Sequence, residues 1–131
     1  MLPEESQYPA DWLRLAEKDR ERVARLLDEH DPELAGFCLQ QAVEKFLKAF
    51  LLSRGWQLRR THDLESLLDD AIPYDASLED FRAACEKITN FYVLERYPFV
   101  SGAGVTEEDI RSSQEQVREL MEKLRAAVGG G

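Results

Sequence analysis

Only two histidines occur in the 131 residues, His30 and His62, and an aspartate directly follows each, Asp31 and Asp63. An imidazole beside a carboxylate is suited to moving a proton or to ligating a metal. Both pairs also sit where helices would begin, and there Asp31 and Asp63 read equally well as N-caps. Two cysteines, Cys38 and Cys85, lie inside strongly apolar helical patterns and are expected to be buried, reduced thiols. Gly102 and Gly104 lack the following Lys-Ser/Thr of a phosphate-cradling loop, and no nucleophile elbow occurs.

A second group with chemical potential lies between the histidines. Gln40, Gln41, Glu44, Lys45 and Lys48 fall within an arc of about 140° on a helix. Either this arc is the one solvated face of its helix, with Glu44 and Lys48 as an i,i+4 pair, or it is a binding site. From Lys45 to His62 the chain holds Lys45, Lys48, Arg54, Arg59 and Arg60 and no acid. The segment is therefore +5 within a chain of net charge −9, and the difference leaves −14 for the other residues. Such a basic end on an acidic molecule either draws in an anion, with Trp56 able to stack on a base, or faces acidic helices of the same protein or of a second copy. A metal reading also stands: His30, His62-Asp63 and Asp109 follow the ligand order of helical metal-dependent phosphohydrolases.

The elements that must hold these residues are helical throughout. Trp12, Leu15/Ala16, Val23 and Leu26/Leu27 predict an amphipathic helix over 11–29. Asp31-Pro32 opens a second, closed by Gly55 near residues 53–54. Apolar residues cover most of that helix's circumference, so it should be the central one. A short third helix follows Asp63 and ends before Pro73. Ser77 with Asp80 resembles a capping box and predicts the start of a fourth, whose seam is Leu78, Phe81, Cys85, Ile88 and Tyr92. Thr106 caps a fifth with acids in its first turn.

No strand pattern, repeat or dividing linker appears, so the expectation is a single all-α, five-helix up-and-down bundle. It would span 11–128, between an N-terminal tail of 1–10 and flexible glycines at 129–131. No apolar stretch approaches the ~20 residues of a membrane span, and the N-terminus lacks the basic and apolar regions of a secretory signal. The acidic total also disfavours a protein that coats nucleic acid through bulk charge.

Four segments in order carry a family resemblance: Gln40-Gln41-Ala42-Val43-Glu44-Lys45, then Leu47-Lys48-Ala49 with Arg54-Gly55, then Thr61-His62-Asp63-Leu64, then Arg96-Tyr97-Pro98. Together with Trp12-Leu13, Ala16 and Asp19 in the first helix, the chain resembles the HEPN domain, a small helical domain shared by higher eukaryotes and prokaryotes. The resemblance implies a homodimer that accompanies a minimal nucleotidyltransferase, often in a toxin–antitoxin pair, and that binds nucleotide; the reduced thiols predict a cytoplasmic protein, and no further cofactor or metal is expected. Residue by residue the family's recurrent polar positions fall on Gln41, Glu44, Lys45, His62, Asp63, Arg96 and Tyr97. With Lys48 from the polar arc, the expected nucleotide-binding set is Lys45, Lys48, His62, Arg96 and Tyr97, supported by Gln41, Glu44 and Asp63. Some members are metal-independent ribonucleases that use an Arg and a His separated by four to six residues near the fourth helix. Here no histidine follows His62, so Arg82 and Arg96 have no such partner. Arg25 has four residues before His30 but lies at the end of the first helix. The expectation leans away from an enzyme. A ribonuclease toxin without the usual pair and a purely structural dimer are the alternatives.

Overall fold

Residues 6–96 and 104–129 are described by the computed structural model, without the side chains of 93–96. They form five α-helices and no strand: α1 (Pro9–Asp28), α2 (Pro32–Ser53), α3 (Leu64–Ala71), α4 (Arg82–Arg96) and α5 (Glu107–Gly129). The all-α bundle read from periodicity is the observed architecture. Helix α1 starts two residues early, because Pro9 occupies its first turn, where a missing N–H costs nothing. At the other end, Gly129 is still within α5.

Helix α2 is the hub and packs against α1, α3, α4 and α5. Its apolar side chains point outward in nearly every direction, and Leu39, Val43, Phe46, Leu47 and Leu51 are fully buried. The α1–α2 connection is a Schellman closure. His30 N–H donates to Leu27 O and Asp31 N–H to Leu26 O, with His30 in the left-handed region at φ 59°. Histidine is among the non-glycine residues enriched in that region. Asp31 then caps α2 by accepting from Leu34 N. The same closure ends α2 at Gly55 (φ 86°), where Gly55 N–H bonds to Leu52 O and Trp56 N–H to Leu51 O. Both helix stops are thus local, and the short α1–α2 turn makes these helices antiparallel neighbours.

The fourth helix departs from expectation at its start. Residues Ala76–Phe81 form a 3-10 helix, and α4 begins only at Arg82. Asp75, not Ser77, caps this turn: its Oδ1 accepts from both the N–H and the hydroxyl of Ser77, whose oxygen in turn accepts from Lys123 Nζ. The spacing of Leu78 and Phe81 suits a three-residue turn as well as an α-helix, so the seam survives the change. Thr106 behaves as anticipated and does so reciprocally. Its Oγ1 accepts from Asp109 N, while Asp109 Oδ2 accepts from Thr106 N.

Among the described residues no helix is long and apolar enough to cross a membrane. Cys38 and Cys85 are buried thiols, and neither forms a disulfide. Burial, aided by the Glu65 charge, pushes the Cys85 thiol up to about 12, which keeps it protonated and inert.

Candidate functional site

Helices α1 and α4 flank α2 without closing over it, and the loop before α3 covers the gap only in part. Between them lies a cavity of about 600 Å³. Gln41, Glu44, Lys45 and Lys48 from α2 form its floor, Trp12 and Leu15 one wall, Phe37 and Tyr92 the other, and Arg59 to His62 the rim. Residues from four separate stretches of sequence therefore meet at one place.

The polar arc of α2 is not a solvated face. Gln40 is fully buried, and Glu44 and Lys48 are only 2% and 4% exposed. Burial is tolerable because each polar atom is used. Glu44 Oε2 accepts from Lys48 Nζ at 3.0 Å, while its Oε1 accepts from Gln40 Nε2 at 3.0 Å and meets His62 Nδ1 at 2.8 Å. Gln40 Nε2 also donates to the His62 carbonyl at 2.9 Å, and Gln40 Oε1 accepts from Gln41 Nε2. Lys48 Nζ lies 5.2 Å from the centroid of the Trp12 ring, a cation–π contact inside the bundle. A parallel arrangement sits one turn away, where Lys45 Nζ donates to Asp19 Oδ2 at 2.6 Å and Arg22 holds the other Asp19 oxygen.

Burial alone would raise the Glu44 carboxyl. The hydrogen bond from His62 comes next in weight, and with the Lys48 charge and the Gln40 hydrogen bond it holds the group below the usual carboxylate range. A carboxyl depressed in the folded state adds stability above its unfolded range, and that stability is lost as pH falls through the folded value. Urea midpoints of the native chain should therefore fall as pH drops from about 6 to about 3, closing the gap to Glu44→Gln. A gap that stays constant to the acid end would contradict the ionised assignment.

His62 is positioned by three contacts. Its carbonyl is held by Gln40, its Nδ1 by Glu44, and its ring stacks on Tyr92 with centroids 4.3 Å apart at 19°. Phe37 stacks on the same tyrosine, with centroids 5.4 Å apart, so three rings form a column along one wall. The outer part of the column is open, since the His62 side chain is 52% exposed.

Of the residues expected to bind nucleotide, Lys45, Lys48 and His62 line the cavity, as do Gln41 and Glu44. Asp63 is spent elsewhere: it caps α3 by accepting from Glu65 N, and it is not among the described lining residues. Arg96 ends α4, but its side chain and all of Tyr97 lie outside the described residues. Trp56 is not among the described lining residues, and the Arg59 guanidinium lies 6.0 Å from its ring centroid. The indole packs against the core, and its Nε1 donates to Asp70, which also holds Arg59. The basic segment is thus largely answered by acids of the same chain: Asp19 for Lys45, Glu44 for Lys48 and Asp70 for Arg59. The metal reading is overturned. Among the described residues no group of three or more His, Cys, Asp or Glu could hold an ion. His30 instead meets Glu107 Oε1 at 2.7 Å, and Asp109 caps α5.

Sequence reasoning missed Asp19, Phe37 and Tyr92 as parts of the site. Asp19 had a visible signal, because it falls on the buried seam between Ala16 and Val23, where a lone carboxylate requires a cationic partner. Phe37 and Tyr92 had none, since both fit an ordinary core pattern.

A helical bundle whose central helix carries a satisfied polar network, open on one side to a ligand-sized polar cleft, is the class of protein that this fold and site define. The chain belongs to the HEPN domain family, whose family model matches residues 9–127. It is similar to the crystal structure of TT1696 from Thermus thermophilus, with a TM-score of 0.76 and 29% identity over 93% of this chain and 96% of that one. It also resembles ST0689, an archaeal HEPN homologue, with a TM-score of 0.74 and 25% identity over 92% of this chain and 98% of that one. No curated protein matches the chain.

Proposed function

We propose that this HEPN chain is a nucleotide-binding partner module: it holds a phosphate-bearing nucleotide in the α1–α2–α4 cavity and acts with a minimal nucleotidyltransferase in a toxin–antitoxin type of system. The observation that carries the reading is the make-up of the cavity. Its lining brings Lys45, Lys48, Arg59 and Arg60 beside the carboxylate of Glu44 and the rings of Trp12, Phe37 and Tyr92, with Asp19 and Asp70 behind it answering Lys45 and Arg59. A volume of about 600 Å³ lies within the ordinary range for small-molecule sites. Local potential, not the net charge of −9, governs entry of a small anion. The acidic remainder of the surface suits a more basic partner and would speed their encounter.

Calorimetry with ATP and AMP tests the ligand. Binding in the micromolar to millimolar range is expected, weakened about tenfold by Arg60→Ala at the rim. Arg54→Ala serves as the control, because Arg54 lies over the Phe50 ring and is not among the lining residues. Absence of heat at millimolar nucleotide, or equal loss in both variants, refutes the cavity as the site. The partner role is read separately, by whether a complex with a minimal nucleotidyltransferase encoded beside this chain survives size-exclusion chromatography. The family resemblance adds a homodimer to the proposal and the two thiols, neither in a disulfide, a cytoplasmic setting, and sedimentation of the isolated chain reads the dimer.

A further inference from the structure

The position of His62 narrows the kind of phosphate that the cavity would hold. Glu44 is an ionised carboxylate that already accepts from Lys48 and Gln40. Its oxygen 2.8 Å from His62 Nδ1 is therefore an acceptor, and Nδ1 must carry the hydrogen. In the neutral imidazole this leaves Nε2 as the accepting nitrogen on the opposite side of the ring, on a side chain that is 52% exposed and lines the cavity. Stacking on Tyr92 and the Gln40 bond to the His62 carbonyl keep the ring from swinging away. The ionisable groups around it are Glu44, Lys45 and Lys48 from α2, Tyr92 from α4, and Arg59 and Arg60 from its own loop. Behind these, Asp19 answers Lys45 and Asp70 answers Arg59.

A phosphate oxygen that enters the cavity beside His62 meets the Nε2 lone pair, and two lone pairs repel. One proton placed between them removes the conflict. A terminal phosphate monoester sheds its second proton near pH 6 and is able to bring it, as P–OH donating to Nε2. Above that pH the imidazole takes a proton from solvent and donates Nε2–H to the dianion. Both routes end with the same single proton between nitrogen and oxygen. A phosphodiester has no proton to bring near neutral pH, and its single negative charge rewards imidazolium formation less. We propose that the Glu44–His62 pair makes the cavity selective for a terminal phosphate monoester over a phosphodiester, bound together with one proton at His62 Nε2. The proposal rests on the phosphate-binding reading of the same cavity.

The probes are adenosine 5′-monophosphate and 3′,5′-cyclic adenosine monophosphate, which share a base and differ in the phosphate. Calorimetry in two buffers of different ionisation heat counts the protons exchanged. For the native chain at about pH 8, AMP binding should take up close to one proton, and the uptake should fade below about pH 6 as the ligand arrives already protonated. AMP should bind about tenfold more tightly than the cyclic diester near neutral pH, as expected for one charge-assisted hydrogen bond. His62→Gln keeps the carbonyl that Gln40 holds and cannot titrate. In that variant the proton uptake should vanish, and the preference for AMP should shrink to about threefold or less. Circular dichroism verifies that the variant is folded. AMP binding without proton uptake at about pH 8, or a preference unchanged in His62→Gln, overturns the inference while leaving nucleotide binding intact. Failure of both ligands to bind overturns the cavity reading itself.

Discussion

Glu44→Ala is expected to lower the unfolding free energy by about 3–5 kcal/mol, a large share of what a domain of this size possesses. The loss comes less from the bonds removed than from what is left behind. Lys48 is buried, its Nζ is held by Glu44 Oε2, and it lies 5.2 Å from the centroid of the Trp12 ring. Without the carboxylate a charged ammonium would remain in an apolar surround, and it must either deprotonate or pull the bundle open to water. The melting temperature should fall by roughly 10–20 °C. Truncating both partners tests the reason: Glu44→Ala with Lys48→Met removes the stranded charge and should recover most of the loss. A single variant that loses less than about 1 kcal/mol, or a double variant no better than the single, would show that the pair is not energetically buried.

The second large effect is expected at Phe46, near the middle of α2. Phe46 is fully buried within the core formed by the helices around it. Phe46→Ala removes a ring that neighbours on several helices enclose, and their backbones cannot all close on the space at once. A cost of about 3–5 kcal/mol follows from lost transfer energy together with the residual cavity. Phe81, only partly buried at the end of the 3-10 turn, makes the comparison. There the neighbours and solvent can fill the gap, so Phe81→Ala should cost less than about half as much. Equal shifts in denaturant midpoint for the two variants would mean that α2 is not the hub.

Much of the bundle was legible before any coordinates. Five helical stretches, the two caps at Asp31 and Asp63, the stop at Gly55 and the central place of α2 all follow from short-range rules. Each depends on residues within about one turn of one another. Where a short-range rule had two outcomes of similar energy, the reading failed. Ser77 could have capped α4, but Asp75 two residues earlier caps a 3-10 turn that takes in Ser77 itself. The candidate site was legible only as a set of names. Gln41, Glu44, Lys45, Lys48 and His62 were in view, yet the arc on α2 read as either a solvated face or a binding site. Helical periodicity reports that a face is polar and is silent on whether water or other polar groups satisfy it.

By itself the sequence determined the helices, their order and the residue types available at the cleft, because capping, periodicity and turn chemistry are local. Tertiary structure alone decided what the charges do. Asp19 stands 26 residues before Lys45, and His62 stands 18 residues after Glu44, and only the packing of α1 and of the pre-α3 loop onto α2 brings these groups within hydrogen-bond distance. Coulomb interactions depend on distance in space and on the surrounding dielectric, neither of which is written in spacing along the chain. The acid-free stretch from Lys45 to His62 is thus a real feature of the sequence whose meaning changed in three dimensions, from a bare basic patch to a mostly paired cleft with the half-exposed His62 ring in its lining.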